Sequence, residues 1–209
     1  MDDQRTDAWF AARLGCVTAS KIGDLMAKTK AGYGATRKNY MAQLVCERMT
    51  GERESSFCTP AMQRGIDLEP QARAMYELER GVSVQETGFV LHPTIPMSGA
   101  SPDGLVGDAG LVEIKVPNTA THIETLRGGK IDRKYLLQMH WQMICCERQW
   151  CDFVSFDPRL PLEMQLHIER VERDEELCAE IEAEVTAFLT ELDETVADLQ
   201  ARYMMKEAA

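Results

Sequence analysis

The 209-residue chain predicts an α/β fold, a central mixed β-sheet flanked by helices. Three observations carry this. Short apolar, β-prone runs alternate with longer stretches of helical periodicity, a turn-rich tetrad joins two of those runs into a hairpin, and the C-terminal fifth reads as one long amphipathic helix. No Pro/Ser-rich linker or internal repeat divides the chain, and its 44% apolar content can fill a sizeable core, so residues 1–209 read as a single domain.

Taken in order, a helix is expected near 19–28, followed by a segment from Lys28 to Asn39. That segment's glycines and its Lys28, Lys30, Arg37 and Lys38 read as a mobile basic loop, either one that lies over DNA or a plain linker. Helices follow near 39–50 and 60–80, then a strand near 82–91. Leu105 and Val106 run into Gly107, Asp108, Ala109 and Gly110, and Leu111 to Val116 follow as a strand-like run, which gives a hairpin with strands near 103–107 and 111–116. A helix near 133–147 sets Tyr135, Gln138 and Gln142 on one face while Leu136, Met139 and Met143 serve the core. Strands near 150–156 and 163–170 precede the last helix, about 173–206. Its apolar stripe (Leu177, Ile181, Val185, Phe188, Leu192, Val196, Leu199, Tyr203) faces its own domain or a partner helix, with an acidic face opposite.

The net charge of −11 argues against a general nucleic-acid binder, whose affinity comes from neutralising phosphates. The acidity is local. Residues 172–209 hold twelve acids against three bases, whereas residues 1–50 carry eight bases against five acids, and Arg127, Lys130, Arg133 and Lys134 cluster with only Asp132 to offset them. The two basic segments are the DNA-contact candidates. No apolar run is long enough to cross a bilayer, and the first residues lack the parts of a signal peptide, so a cytoplasmic protein with no membrane partner is expected. Seven cysteines without a Cys-x-x-Cys indicate neither a disulfide framework nor a zinc site, and His140 has no ligand partner at useful spacing.

The hairpin carries the chemistry. If Val106 pairs with Leu111, Gly104 lies opposite Glu113 and Asp103 ends beside the Glu113 to Lys115 stretch. Side chains alternate along a strand, so Glu113 and Lys115 share one face while Val112, Ile114 and Val116 face the core. Oxygen ligands from Asp103 and Glu113, with the Ile114 carbonyl as a further donor, suit Mg²⁺ or Mn²⁺, and Lys115 adds a positive charge beside the nucleophile. The competing reading of Glu113 and Lys115 is a solvent-facing ion pair. Near the N-terminus, Thr18, Ala19 and Ser20 precede a helix start where anions are favoured, and Arg13 can add a bidentate phosphate contact. The competing reading there is an N-cap by Thr18 or Ser20 with Arg13 on the surface.

Asp103 followed by Glu113-Ile114-Lys115 resembles the PD-(D/E)xK nuclease signature. With Ser101-Pro102-Asp103-Gly104 it is similar to the phage lambda exonuclease branch, the YqaJ-type viral recombinases. The likeness extends to Trp9, Arg13-Leu14-Gly15, Thr18-Ala19-Ser20, Gly65, Glu69, Arg127-Gly128-Gly129, Tyr135, Gln138 and Asp157-Pro158-Arg159, in the same order. The resemblance implies a restriction-endonuclease-like core, Glu69 as a helper acid near the metals, Gln138 at the site, and Arg13, Ser20 and Ser101 as holders of a terminal 5′-phosphate. It further implies a homotrimer acting on double-stranded DNA ends, with a single-strand annealing protein as partner. The expected activity is therefore a Mg²⁺-dependent 5′-to-3′ exonuclease that leaves 3′ overhangs for recombination. The alternatives are a structure-specific or restriction-type endonuclease and a catalytically silent, nuclease-fold DNA-binding or scaffold subunit.

Overall fold

The computed structural model describes residues 4–30, 32–53 and 58–204. The elements in chain order are α1 (Asp7–Arg13), β1 (Val17–Thr18), α2 (Ile22–Leu25), β2 (Lys28–Thr29), β3 (Gly32–Tyr33), α3 (Ala35–Thr50), α4 (Pro60–Arg80), β4 (Val84–Gln85), β5 (Val90–Leu91), β6 (Ser98–Ala100), β7 (Gly104–Val106), β8 (Gly110–Lys115), α5 (Thr119–Leu126), α6 (Arg133–Cys145), β9 (Trp150–Phe156), β10 (Leu166–Glu172) and α7 (Glu175–Tyr203). The main sheet has the order β10-β9-β8-β7-β4; β8 and β9 pair in parallel and the other neighbours are antiparallel, so the sheet is mixed as predicted.

Strand β8 is the centre of this sheet and is packed on both faces. Val112 and Ile114 point toward α4, where they meet Ala72, Tyr76, Val154 and Phe156. The opposite face turns toward α6, where Leu111 meets Met139, Met143 and Phe153. Glu113 and Lys115 lie on that second face by strand alternation. A third cluster joins α2, α3, α6 and α7 through Ile22, Leu44, Trp141, Ile181 and Phe188. Removing a fully buried ring such as Phe188 would cost about 3–5 kcal/mol.

The hairpin register differs by one residue from the expected one. Val106 pairs with Gly110 and Gly104 with Val112, which puts Asp103 in line with Glu113. The cause is a three-residue turn, opened by Gly107 at φ 54°, that keeps Gly110 inside the ladder. Gly104 is needed as glycine, because a Cβ there would stand 2.0 Å from the Val84 side chain on the neighbouring strand.

Other expectations are corrected. The helix expected over 19–28 is a 3₁₀ turn (Ala19–Lys21), the short α2 and then β2. Lys28 to Asn39 is no free basic loop, because β2 and β3 form a ribbon and α3 starts at Ala35. Lys28 Nζ and the Tyr33 hydroxyl donate to Glu184, and Arg37 donates to Glu191 at 2.7 Å. The run 82–91 splits into β4 and β5, which belong to different sheets, and the last strand begins at Leu166 rather than 163, after a 3₁₀ turn. Helices α1 and α5 were not anticipated; both are short and begin on side-chain caps from Thr6 and Asn118. The α7 stripe includes buried Cys178 and Leu189, which the sequence reading omitted, while Tyr203 is exposed. His140 is buried and its Nδ1 is satisfied by the Leu136 carbonyl at 2.7 Å. Residue 206, at the expected end of the last helix, lies outside the described residues.

Candidate active site

Glu113 is 1% exposed, and three donors converge on it. Gln138 Nε2 donates to Oε1 at 2.6 Å, Gln142 Nε2 donates to Oε2 at 2.7 Å, and the Lys115 ammonium donates to Oε1. The two amides come from successive turns of α6, the helix that covers this face of β8. The ion pair weighed as an alternative therefore exists, but it is enclosed rather than solvated. Burial alone would lower the Lys115 pKa; the Glu113 and Asp103 carboxylates outweigh it and hold the ammonium above its ordinary value. Lys115 also sits 5.0 Å above the Tyr135 ring.

Asp103 receives much less support. Its Oδ2 accepts the Ile114 backbone N–H at 2.7 Å, which ties the acid to β8. Desolvation and the neighbouring Glu113 charge push its pKa well above the usual carboxylate value, Glu69 adds to this, and Lys115 and the amide only partly offset it. Ile114 keeps its side chain in the core. Among the described residues no group of three His, Cys, Asp or Glu side chains stands ready to hold an ion. The donor set nevertheless fits a hard cation, because two adjacent desolvated carboxylates are a like-charge pair that a divalent ion would relieve.

Glu69 is on α4, and both of its oxygens are occupied. Oε2 accepts from Arg5 at 2.6 Å and Oε1 from Arg73 at 2.9 Å. Nothing in the local sequence marks Arg5 for this role.

At the other end of the Ser101-Pro102-Asp103 segment Arg13 meets Ser101, and Arg13 shares a cleft with Ser20. Ser101 Oγ accepts from Arg13 Nη1 at 3.0 Å and from Trp9 Nε1 at 2.9 Å, and the Arg13 guanidinium lies 4.1 Å from the Trp9 ring centre. Arg13 is stacked and partly buried rather than on the surface, and burial lowers its pKa. Ser20 and Arg13 line one cleft of about 620 Å³ together with Lys21 and Arg53. Thr18 stands at the N-cap of the 3₁₀ turn, as the alternative reading supposed, but makes no side-chain capping bond; its N–H donates to the Tyr40 hydroxyl. The turn that follows Arg13 is pinned through Gly15. Gly15, at φ 68°, donates its N–H to Glu47, and its carbonyl accepts from Arg48 at 3.0 Å. Arg53, which stacks on Phe10, escaped the sequence reading because it follows α3 with no local motif.

A second cleft, about 540 Å³, opens on the other side of Lys115 and is lined by Asn118, Thr121, Lys130 and Lys134. It brings Lys130 and Lys134, half of the predicted 127–134 basic cluster, into one cleft with Lys115. The N-terminal basic segment is less available than its charge suggested. Lys28, Arg37 and Arg48 are paired with Glu184, Glu191 and Asp193 of α7, so part of the acidic face is turned inward on those bases.

Residues 8–149 match the model of the YqaJ-like viral recombinase domain. The chain belongs to that family. LHK-Exo, an alkaline exonuclease from Laribacter hongkongensis, is 56% identical; the match covers 94% of this chain and 97% of that one, with a TM-score of 0.89. A crystal structure of LHK-Exo in complex with dAMP matches to the same degree. A phage-related exonuclease from Haemophilus somnus 129PT, 17% identical over 88% of this chain and 96% of that one with a TM-score of 0.72, shares the fold. No curated protein is significantly similar to the chain. Among the described residues no helix is long and apolar enough to cross a membrane.

Proposed function

We propose that this member of the YqaJ-like family is a Mg²⁺-dependent exonuclease that degrades one strand of linear duplex DNA from its 5′-phosphorylated end, leaving 3′ overhangs. One observation carries the reading: the Ser101-Pro102-Asp103 segment joins a guanidinium-lined cleft to a pair of recessed carboxylates, two residues apart. A terminal phosphate bound at Arg13 and Ser20 would set a phosphodiester near Asp103, Glu113 and Lys115. The 56% identical alkaline exonuclease supports the same class of reaction.

The chain's own residues divide the work. Asp103 and Glu113, with the Ile114 carbonyl as a further oxygen donor, would hold Mg²⁺, or Mn²⁺ in its place. The bound ion would supply an acidified water and stabilise charge on the scissile phosphate. Gln138 and Gln142 fix the Glu113 carboxylate by one hydrogen bond to each oxygen, so it presents a defined face. Lys115 is kept protonated by its two acidic neighbours and can stabilise a developing negative charge. Glu69 serves as helper acid. Arg13 offers a charge-assisted contact to the 5′-phosphate that each cut regenerates, so the pocket can recapture the shortened strand. A closed homotrimer that keeps the DNA enclosed, working with a single-strand annealing protein, completes the proposal.

The test is digestion of end-labelled linear duplex bearing 5′-phosphate or 5′-hydroxyl ends, with covalently closed circular duplex alongside. The expected result is loss of the 5′ label first, preference for phosphorylated ends, and intact circles. Cutting of closed circles would instead assign an endonuclease.

A further inference from the structure

Residues just ahead of α1 cross the acidic recess. Gln4 Nε2 donates to two carbonyls, Thr87 at 2.9 Å and Pro102 at 2.8 Å, the latter belonging to the residue before Asp103. Arg5 follows with a positive φ of 69°, a conformation non-glycine residues rarely adopt, and from it reaches Glu69. Thr6 then caps α1, accepting the Trp9 N–H at 3.2 Å. An outlier backbone fixed on both sides by specific contacts marks a position that the surroundings impose.

The two guanidinium groups on Glu69 differ in how firmly they are held. Arg73 is one turn further along α4, its side chain is 13% exposed, and it also pairs with Glu86. Arg5 is 45% exposed and rests on the Gln4 contacts. A cation at the neighbouring acids competes electrostatically with these two guanidinium groups for the Glu69 carboxylate, and Arg5 is the weaker hold.

We propose that the Gln4-Arg5 segment is a positioning strap that occupies Glu69 and so sets the affinity of the acidic site for divalent cations. The inference rests on the metal-site reading above. Arg5 competes with the cation for the Glu69 Oε2 atom, and Gln4 keeps Arg5 within reach.

The experiment is Mn²⁺ titration of the full chain without DNA, followed by calorimetry and Mn²⁺ electron paramagnetic resonance, with circular dichroism to confirm folding. Arg5→Gln should tighten Mn²⁺ binding by about two- to fivefold, the range expected for a partly exposed ion pair. Gln4→Ala changes no charge, yet it should tighten binding in the same direction by loosening the strap. In a Glu69→Gln background both effects should vanish. The proposal is overturned if neither variant changes the affinity, or if the Arg5→Gln effect persists undiminished without the Glu69 carboxylate, since that result belongs to a general field. Absence of Mn²⁺ binding by the wild-type chain would sink the strap and the metal site together; unchanged affinity in variants of a protein that does bind Mn²⁺ would sink the strap alone.

Discussion

Two recessed aspartates on either side of strand β8 receive opposite treatment. Asp157, just past β9, is fully buried, and its oxygens accept from Arg64 at 3.0 Å, from Arg159 at 2.8 and 2.9 Å, and from the Thr119 hydroxyl at 2.7 Å. Those partners, Arg159 above all, pull its pKa far below the usual value. Asp103 has one backbone amide, and desolvation together with two like charges nearby pushes its pKa up. Asp157 is a finished structural joint; through Arg64, which also donates to the Pro117 carbonyl at 2.9 Å, it secures the end of β8. Asp103 has few donors satisfying it, which is what the proposed cation site requires of it.

The contrast is broken or sharpened by replacing each acid. Asp103→Asn should remove cleavage while the cation-free protein melts at a higher temperature than wild type, because the amide relieves the repulsion and can still accept the Ile114 N–H. Asp157→Ala should do the reverse, retaining the active-site groups but costing about 1–3 kcal/mol, a figure kept modest because Arg64 and Arg159 can reach water. The pH dependences have opposite signs. A carboxyl whose folded pKa is raised loses stability as pH rises through that value, so the Asp103→Asn advantage should widen upward from acid pH. A carboxyl whose folded pKa is lowered contributes fully above the ordinary value and loses it on acidification, so the Asp157→Ala deficit should shrink as pH falls below about 4. Thermal melts across pH without divalent ions decide this, and deficits of the same sign for both variants would erase the distinction.

The contrast also marks what the sequence could reveal. The hairpin, its alternation and the α6 face were legible because turn residues and period-2 or helical spacing are local signals; α4 and β9 were bounded correctly for the same reason. The one-residue register was not legible because it depends on how many residues the turn takes, and the split of 82–91 was not because its two halves pair with different strands, β4 with β7 and β5 with β6. Arg5 and Arg53 were invisible because nothing local marks an arginine whose partner lies 64 residues away, or one that stacks on an aromatic ring of a distant helix. Lys28 and Arg37 misled in the opposite sense, since their charge read as free until α7 folded back on them.

A smaller effect is expected at the amides that distinguish Glu113 from Asp103. Gln142 is fully buried and Gln138 is not, yet each donates to one oxygen of the same carboxylate. Loss of such a supporting contact typically costs 10- to 100-fold in activity or metal affinity, so Gln138→Ala and Gln142→Ala should each fall by about that factor in cleavage rate. Gln142→Ala should also lower the melting temperature, because it strands a buried carboxylate oxygen. Equal activity in wild type and both variants would mean that Lys115 alone orients Glu113.

The smallest effect separates the cleft from the acids. Arg13 touches Ser101 but neither carboxylate, so its loss should leave the metal dependence of cleavage unchanged and alter only how chain ends are read. Charge-assisted contacts to phosphate contribute roughly 1.5–3 kcal/mol, so Arg13→Ala should slow digestion of 5′-phosphorylated ends by about tenfold or more. Digestion of 5′-hydroxyl ends has no such contact to lose and should change little, which narrows the ratio between the two substrates. Ser101→Ala removes the acceptor that aligns Arg13 and should narrow the ratio in the same direction but less, because the guanidinium remains stacked on Trp9. Initial rates on the two substrates at saturating Mg²⁺ measure the ratio directly. If Arg13→Ala slows both by one common factor, the guanidinium is a general DNA contact, and the division of labour between the cleft and the acidic recess is lost.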